Sequence, residues 1–163
     1  MPSRARHRTQ QFFGALRPST DEAARAEACA QLSPAERALF DSMMARDQQH
    51  GIEVWRRVRA AGDDAPLLVA ALLHDCGKGE VRLWQRVAHV VLGASAPGLR
   101  RRLASERGAA WRQALWRLLH HPRIGAAMAA RAGADPDAVR MISEQDAEAP
   151  DARLAMLQAA DEA

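Results

Sequence analysis

Apolar residues recur at steps of three and four along most of the chain, which is the period of an amphipathic helix. Alternating, strand-like runs are scarce, and the one β-leaning stretch, VAHVVLG from Val87 to Gly93, lies within a helical period. Alanine, leucine, arginine and glutamate dominate the composition, and all four favour helices. The pattern predicts an all-α fold, a single compact bundle of about eight to ten helices.

A start signal for a long helix stands at Ser33. Pro34 occupies the first helical position and Glu36 completes a capping box. This helix is predicted to extend to about residue 61, before Gly62.

The most hydrophobic helix is predicted over residues 66–75, and it ends in the sequence ALLHDCGKGE, residues 70–79. Burial of a carboxylate is costly unless the group is paired or bound to a metal, so His74 and Asp75 need partners. Gly77 is expected to end the helix in a left-handed conformation. Other helices are predicted at residues 5–16, from about residue 20, and at 80–92, 97–105, 108–120, 122–132, 136–146 and 151–162.

Two polar residues continue apolar stripes on helices that are far apart in sequence. His50 lies on a stripe with Phe40, Met43, Asp47, Val54 and Val58, and Asp161 lies on one with Leu154 and Leu157. Taken singly, each has a structural explanation, a hydrogen-bonded core histidine and an acid at a frayed helix end. Together with His74 and Asp75 they provide two imidazoles and two carboxylates, a ligand set that suits a divalent Fe, Mn, Zn, Co or Ni ion.

Composition limits the class of protein. A chain of 163 residues suits one domain with a sizeable core, and no apolar run approaches the ~18–20 residues that span a bilayer. Two cysteines form no disulfide framework, and the first ten residues lack the apolar stretch of a secretory signal, so a cytoplasmic location is expected. The net charge is +3, and the only lysine among 23 basic residues is Lys78, within ALLHDCGKGE.

The arrangement of His50, the adjacent pair His74–Asp75 and the distant Asp161 resembles the HD-domain superfamily of metal-dependent phosphohydrolases. The sequence HDCGK matches the short form HD-x-G-K of that family. The resemblance covers residues 34–163 and leaves residues 1–33 as an N-terminal helical extension. It implies that His50, His74, Asp75 and Asp161 bind a divalent metal ion, whether Fe, Mn, Zn, Co, Ni or Mg.

The resemblance also implies a reaction. Family members commonly hydrolyse phosphomonoesters or phosphodiesters by attack of a metal-activated water. Asp75, or the nearby Asp47, would help to deprotonate this water. Lys78, together with His121 and Arg123, would neutralise the phosphate oxygens. The expected substrate is a small phosphorylated metabolite or a nucleotide, held in a pocket walled by the segments around Trp84 and Trp111.

A second segment, HHPRIGA from residue 120, resembles the His-Pro-x-x-Gly segment of many HD domains, including the HD-GYP branch. It implies that His121 serves a second metal or the phosphate. In those branches a further histidine follows on the next helix, where this chain has Gln145, a poor ligand for a transition metal. The GYP signature is absent, which argues against cleavage of cyclic dinucleotides. The alternative function is a non-catalytic HD module that binds a nucleotide or a partner protein.

An arginine-rich region leaves the binding partners open. These arginines form either a face that binds phosphate or nucleic acid, or a solvated surface. They are Arg100, Arg101, Arg102, Arg107, Arg112 and Arg117. The amphipathic stretch WRQALWRLL, residues 111–119, either lies on a membrane surface or packs over the core. A solvated surface is preferred for the arginines, and packing over the core explains the amphipathic stretch as well as a membrane surface does. No clear nucleic-acid or membrane partner is therefore expected, and a homodimer is left open.

Overall fold

The computed structural model describes residues 22–163, and within that range every regular element is helical. The nine α-helices of this range are α1 Glu22–Cys29, α2 Pro34–Asp41, α3 Ala45–Ala61, α4 Ala65–Leu73, α5 Leu83–Ser95, α6 Pro97–Leu103, α7 Ala110–Arg131, α8 Pro136–Ser143 and α9 Ala152–Glu162; a 3-10 turn, Cys76–Lys78, follows α4. The predicted all-α class is therefore confirmed. The helix predicted at residues 5–16 lies outside the described residues. None of the described helices is both long and apolar enough to cross a membrane.

The main core surrounds α4, which begins at the cap residue Asp64 and is apolar on all sides. Every residue from Leu67 to Leu73 is buried because α2, α3, α8 and α9 pack around this helix. The same core includes residues of α1 and the turn after it, Ala24, Ala28, Cys29 and Leu32. Part of the predicted extension at residues 1–33 thus packs with the remainder, and the proposed boundary at residue 33 stays a prediction.

The single helix predicted over residues 34–61 is in fact two helices, α2 and α3. The Ser42 hydroxyl donates a hydrogen bond to the Leu39 carbonyl (2.6 Å), a local bond that competes with helix continuation. The Gln48 side-chain amide then donates to the carbonyls of Asp41 (3.1 Å) and Met43 (2.8 Å). These carbonyls need no further helical turn to satisfy them, so the chain changes direction before Ala45.

Pro122 does not end a helix, contrary to the prediction of two helices at 108–120 and 122–132. Proline has no N–H to donate to the carbonyl four residues earlier, which here belongs to Leu118. The His121 ring supplies the missing contact, with Nδ1 placed 3.0 Å from the Leu118 oxygen. α7 therefore continues through the proline, and donation from Nδ1 leaves His121 Nε2 free to face the interior.

Gly77 is not in the left-handed conformation that was expected. The left-handed residue is Gly79, with φ of 61°. Gly77 is required for a different reason: a Cβ at this position would overlap the His121 carbonyl oxygen and lie 2.6 Å from the Gly125 nitrogen. Gly125 faces it, where a Cβ would lie 3.2 Å from both the Gly77 nitrogen and Cys76 Sγ. The two glycines let the 3-10 turn meet α7 backbone to backbone.

Candidate metal centre

Three helices bring His50, His74 and Asp161 to one point. His50 lies in the middle of α3, His74 directly follows α4, and Asp161 lies in the last turn of α9. Asp161 Oδ1 is 2.6 Å from His50 Nε2 and 3.4 Å from His74 Nε2. One ligand atom from each residue lies within 4.8 Å of the others. The side chains selected from separate apolar stripes therefore form one cluster.

His74 has the orientation of a metal-binding imidazole. The side chain is buried, and its Nδ1 lies 2.9 Å from the Ala71 carbonyl oxygen, which accepts a hydrogen bond from the Nδ1–H group. Its Nε2 is buried and has no hydrogen-bond partner among the described residues. Buried polar atoms are nearly always satisfied, so this lone pair needs an explanation. A cation held between His50, His74 and Asp161 would satisfy it.

Asp75 lies directly beside this cluster. Its Oδ1 is 3.5 Å from His74 Nε2, and its Oδ2 is 2.5 Å from Lys78 Nζ. Adjacent residues on an ideal helix point about 100° apart, so two neighbours rarely face one site. Here α4 ends at Leu73 and the chain turns into the 3-10 turn, which allows both side chains to face the centre.

Lys78 and His121 converge on Asp75 from the 3-10 turn and from α7. His121 Nε2 lies 3.7 Å from Asp75 Oδ1. The side chains of Lys78 and His121 remain partly exposed to solvent, at 20% and 16%. Asp75 itself is almost fully buried. An anion that approaches from solvent would therefore meet Lys78 and His121 before it met the carboxylate. Arg123, also considered as a phosphate partner, is exposed on α7.

Opposite charges set the protonation of the cluster. Burial alone would lower the pKa of His74, but Asp75 and Asp161 outweigh it and raise this pKa to about 9. Burial alone would raise the pKa of Asp75 and of Asp161; Lys78 and His74 hold the first pKa well below its usual range, and His50 and His74 do the same for the second. The buried Asp75 carboxylate and the partly exposed Asp161 carboxylate together favour positive charge, which a divalent cation supplies more directly than a protonated imidazole.

Asp47, which was considered as a base for the site, pairs with an arginine of α5. Its two carboxylate oxygens accept hydrogen bonds from the Arg86 guanidinium, at 2.9 Å and 2.6 Å. The pair is largely buried and joins α3 to α5. Asp47 therefore has a structural partner in Arg86, which argues against a role as a base, and the suggestion that it helps to deprotonate a water stays a prediction.

Gln145 plays a part that the sequence did not reveal. Its side-chain amide donates to the His74 carbonyl (3.1 Å) and to the Ile142 carbonyl (3.1 Å). Gln158 in turn donates to the main-chain carbonyl of Gln145 (3.0 Å). The only sequence signal for Gln145 was that it continues the apolar stripe of Val139 and Ile142. Gln145 holds the main chain of the His74 turn.

A groove with a volume of about 730 Å³ lies beside the 3-10 turn. Both predicted tryptophans, Trp84 and Trp111, line it, together with Arg82 and Arg117. Arg117 lies one helical turn before His121 on α7 and packs over Gly79. The groove therefore lies next to Gly79, the residue that follows Lys78.

Comparison with known proteins gives one match. The family model described as "HD domain" matches residues 48–162, a range that contains His50, His74, Asp75 and Asp161. No curated protein and no solved structure matches the chain.

Proposed function

This chain belongs to the HD-domain family, and from that premise we propose that it is a metal-dependent phosphohydrolase acting on a small phosphorylated metabolite or nucleotide. The observation that carries the proposal is the buried Nε2 of His74, which has no hydrogen-bond partner in the described chain and lies 3.4 Å from Asp161. Imidazole nitrogen and carboxylate oxygen together suit divalent Fe, Mn, Zn, Co or Ni, and carboxylates also suit Mg.

The proposed ligands are His50, His74, Asp75 and Asp161. When bound, the ion would polarise a phosphoryl oxygen and lower the pKa of a water molecule. The hydrogen bond to the Ala71 carbonyl orients the His74 ring, so that Nε2 would be available to hold the ion. Side-chain exposure is 2% at His74 and Asp75, 28% at His50 and 44% at Asp161, so the proposed ligand set is buried on the His74 and Asp75 side and open to solvent on the His50 and Asp161 side.

Two residues of the chain are proposed to act on the substrate. The Lys78 ammonium would neutralise phosphate oxygens while it balances Asp75. His121 Nδ1–H donates a hydrogen bond to the Leu118 carbonyl, so Nε2 carries the lone pair of the neutral ring. This Nε2 lies on the side of Asp75. Burial and the neighbouring Lys78 lower the pKa of His121, which favours this neutral form. His121 Nε2 would then accept a hydrogen bond from the attacking water.

The alternative is a non-catalytic HD module that binds a nucleotide or a partner protein. One observation favours it. Gln145 occupies the position where the two-metal branches of the family have a histidine, and its side-chain amide donates a hydrogen bond to the His74 carbonyl. On this alternative the chain would bind metal and ligand without turnover.

Metal analysis combined with a panel of phosphate esters distinguishes the two functions. The full chain is loaded separately with each of the six metals and assayed on phosphomonoesters, phosphodiesters and nucleotides. We expect about one equivalent of metal and phosphate release that Asp75→Ala abolishes, because the variant removes a proposed ligand. The control Asp63→Ala, at a carboxylate with 77% exposure, should keep both properties. Metal without turnover on any ester would assign the non-catalytic module, and a protein that retains none of the metals would contradict the hydrolase.

Replacement of Gln145 by alanine should weaken metal binding while the fold is kept. The variant frees the His74 carbonyl and loosens the turn that orients both His74 and Asp75. Loss of such an orienting partner typically lowers metal affinity by about 10- to 100-fold. Titration against a chelator measures this change. Gln113→Ala, which removes a bond to the Gly108 carbonyl, is the control, and equal affinities in the two variants would contradict the role of Gln145.

A further inference from the structure

The helix α5 turns its apolar side toward solvent. Its large side chains with 42% to 55% exposure are Leu83, Trp84, Val87, Val90 and Val91, here called the α5 face. Their spacing of three and four residues places them on one stripe that covers roughly a third of the helix circumference. Single exposed apolar residues are ordinary, but five on one stripe form a patch of the kind that marks an interaction site.

The opposite side of α5 is polar and faces the protein. Gln85 is the only buried residue of this helix. Arg86 pairs with Asp47 of α3, and His89 Nε2 lies 3.2 Å from Arg100 Nη1 of α6. A surface helix normally has the reverse orientation, with its apolar stripe on the core. The packing of α5 therefore relies on polar contacts and leaves its hydrophobic surface for another partner.

Positive charge is concentrated in the sequence segment that contains this face. Residues 82–131 contain ten arginines and a single acid, Glu106, although the whole chain has a net charge of only +3. The arginines of α5–α7 and their connections that are exposed include Arg82, Arg101, Arg102, Arg107 and Arg117. Two more large apolar residues, Leu99 on α6 and Trp111 on α7, are exposed in the same group of helices, which pack against one another. The surface thus combines apolar side chains with a surplus of guanidinium groups.

We propose that the α5 face docks on the surface of an anionic phospholipid bilayer. Trp84 and the leucine and valine side chains would enter the boundary between headgroups and acyl chains, and the arginines would contact lipid phosphates. A bilayer of this kind provides partners for both parts of the surface, acyl chains for the apolar side chains and phosphates for the arginines. The docking goes beyond the proposed hydrolase function and does not depend on it.

Other occupants fit the surface less well. Nucleic acid would pair with the arginines but would place five apolar side chains against a charged backbone. A second copy of the chain would bring two arginine-rich faces together, which like-charge repulsion opposes. Residues 1–21 contain four arginines and one acid, so this segment carries the same sign of charge as the face.

Vesicle flotation of the full chain tests the docking. The probes are vesicles of phosphatidylcholine alone and with about 30% phosphatidylglycerol, at low and at high salt. We expect binding to the anionic vesicles only, weakened by salt because screening shortens the range of the arginine contacts. The variant Leu83→Gln/Val87→Gln/Val91→Gln should bind at least about tenfold more weakly. Glutamine keeps the charge and suits a helix better than valine, so this variant should fold.

Two further variants sharpen the test. Arg101→Gln/Arg102→Gln should lower affinity for the anionic vesicles about 25-fold, from about fivefold per arginine. Met156→Gln, at a 39% exposed apolar residue on α9, is the matched control and should bind like the unaltered chain. The proposal is overturned if the full chain does not bind anionic vesicles, or if the triple glutamine variant binds them equally well. A dimer that the triple variant dissociates, or duplex DNA binding that it leaves intact, with no vesicle binding in either case, would assign the surface to those partners instead.

Discussion

Replacement of Asp161 by asparagine is expected to abolish metal retention and to lower turnover by at least about a thousandfold. Asp161 Oδ1 lies 2.6 Å and 3.4 Å from the two imidazole nitrogens of the cluster, so this carboxylate contacts both histidines. Asparagine keeps the size of the side chain but removes the negative charge that a divalent ion requires. A metal contributes several kcal/mol of charge stabilisation in the transition state, and each 1.36 kcal/mol corresponds to about tenfold in rate.

Metal content per chain and phosphate release measure this effect. Glu162→Gln is a close control, because Glu162 is the next residue on α9, is exposed and loses the same charge. The control should retain about one equivalent of metal and full turnover. Normal metal content and turnover in Asp161→Asn would show that the cluster of His50, His74 and Asp161 is not the metal centre.

Local competition between side chains and backbone explains where the helix boundaries departed from the pattern. The apolar period and the Ser33 capping box correctly indicated helices, and the box is present with both of its hydrogen bonds. The break after Asp41 depends on Gln48, whose amide reaches two carbonyls of the preceding turn. The continuity of α7 depends on the His121 ring. Neither contact has a residue signature that periodicity detects.

The sequence indicated two residues of the candidate site because they are polar residues at positions of apolar stripes. His50 and Asp161 occupy positions that the period assigns to the core, and a costly group in such a position needs a reason. Their partners were less accessible to sequence reasoning, since Gln145 reaches across 71 positions to His74, and Arg86 across 39 positions to Asp47. Contacts of this length follow from tertiary packing alone.

The α5 face shows a second limit of periodicity. The spacing of Leu83, Val87 and Val91 places them on one side of a helix, but it does not reveal whether that side meets the core or solvent. Polar contacts decide the orientation here, since Arg86 bonds to Asp47 and thereby turns the opposite side inward. From the sequence, a solvated surface was preferred for the arginines on the basis of charge alone. The exposure of apolar residues of α5 did not enter that prediction.

Gly77→Ala is expected to destabilise the protein by about 3 kcal/mol, at the upper end of the cost of overpacking. The added methyl would meet the His121 carbonyl and the Gly125 nitrogen, and main-chain atoms cannot rotate away as a flexible side chain can. The turn would separate from α7. For a domain of this size the loss corresponds to a fall in Tm of roughly 6 to 12 °C. Thermal unfolding followed by circular dichroism measures it.

A matched glycine isolates the steric cause. A Cβ on Gly98, within α6, would have no atom within 4 Å, so Gly98→Ala should leave Tm unchanged or raise it slightly through better helix propensity. Gly125→Ala should lie between the two, because its nearest contacts are 3.2 Å away and one of them is the Cys76 side chain. Because His74 and Asp75 immediately precede the turn, Gly77→Ala should also weaken metal binding. Equal stability of Gly77→Ala and Gly98→Ala would mean that the turn does not depend on close backbone contact with α7.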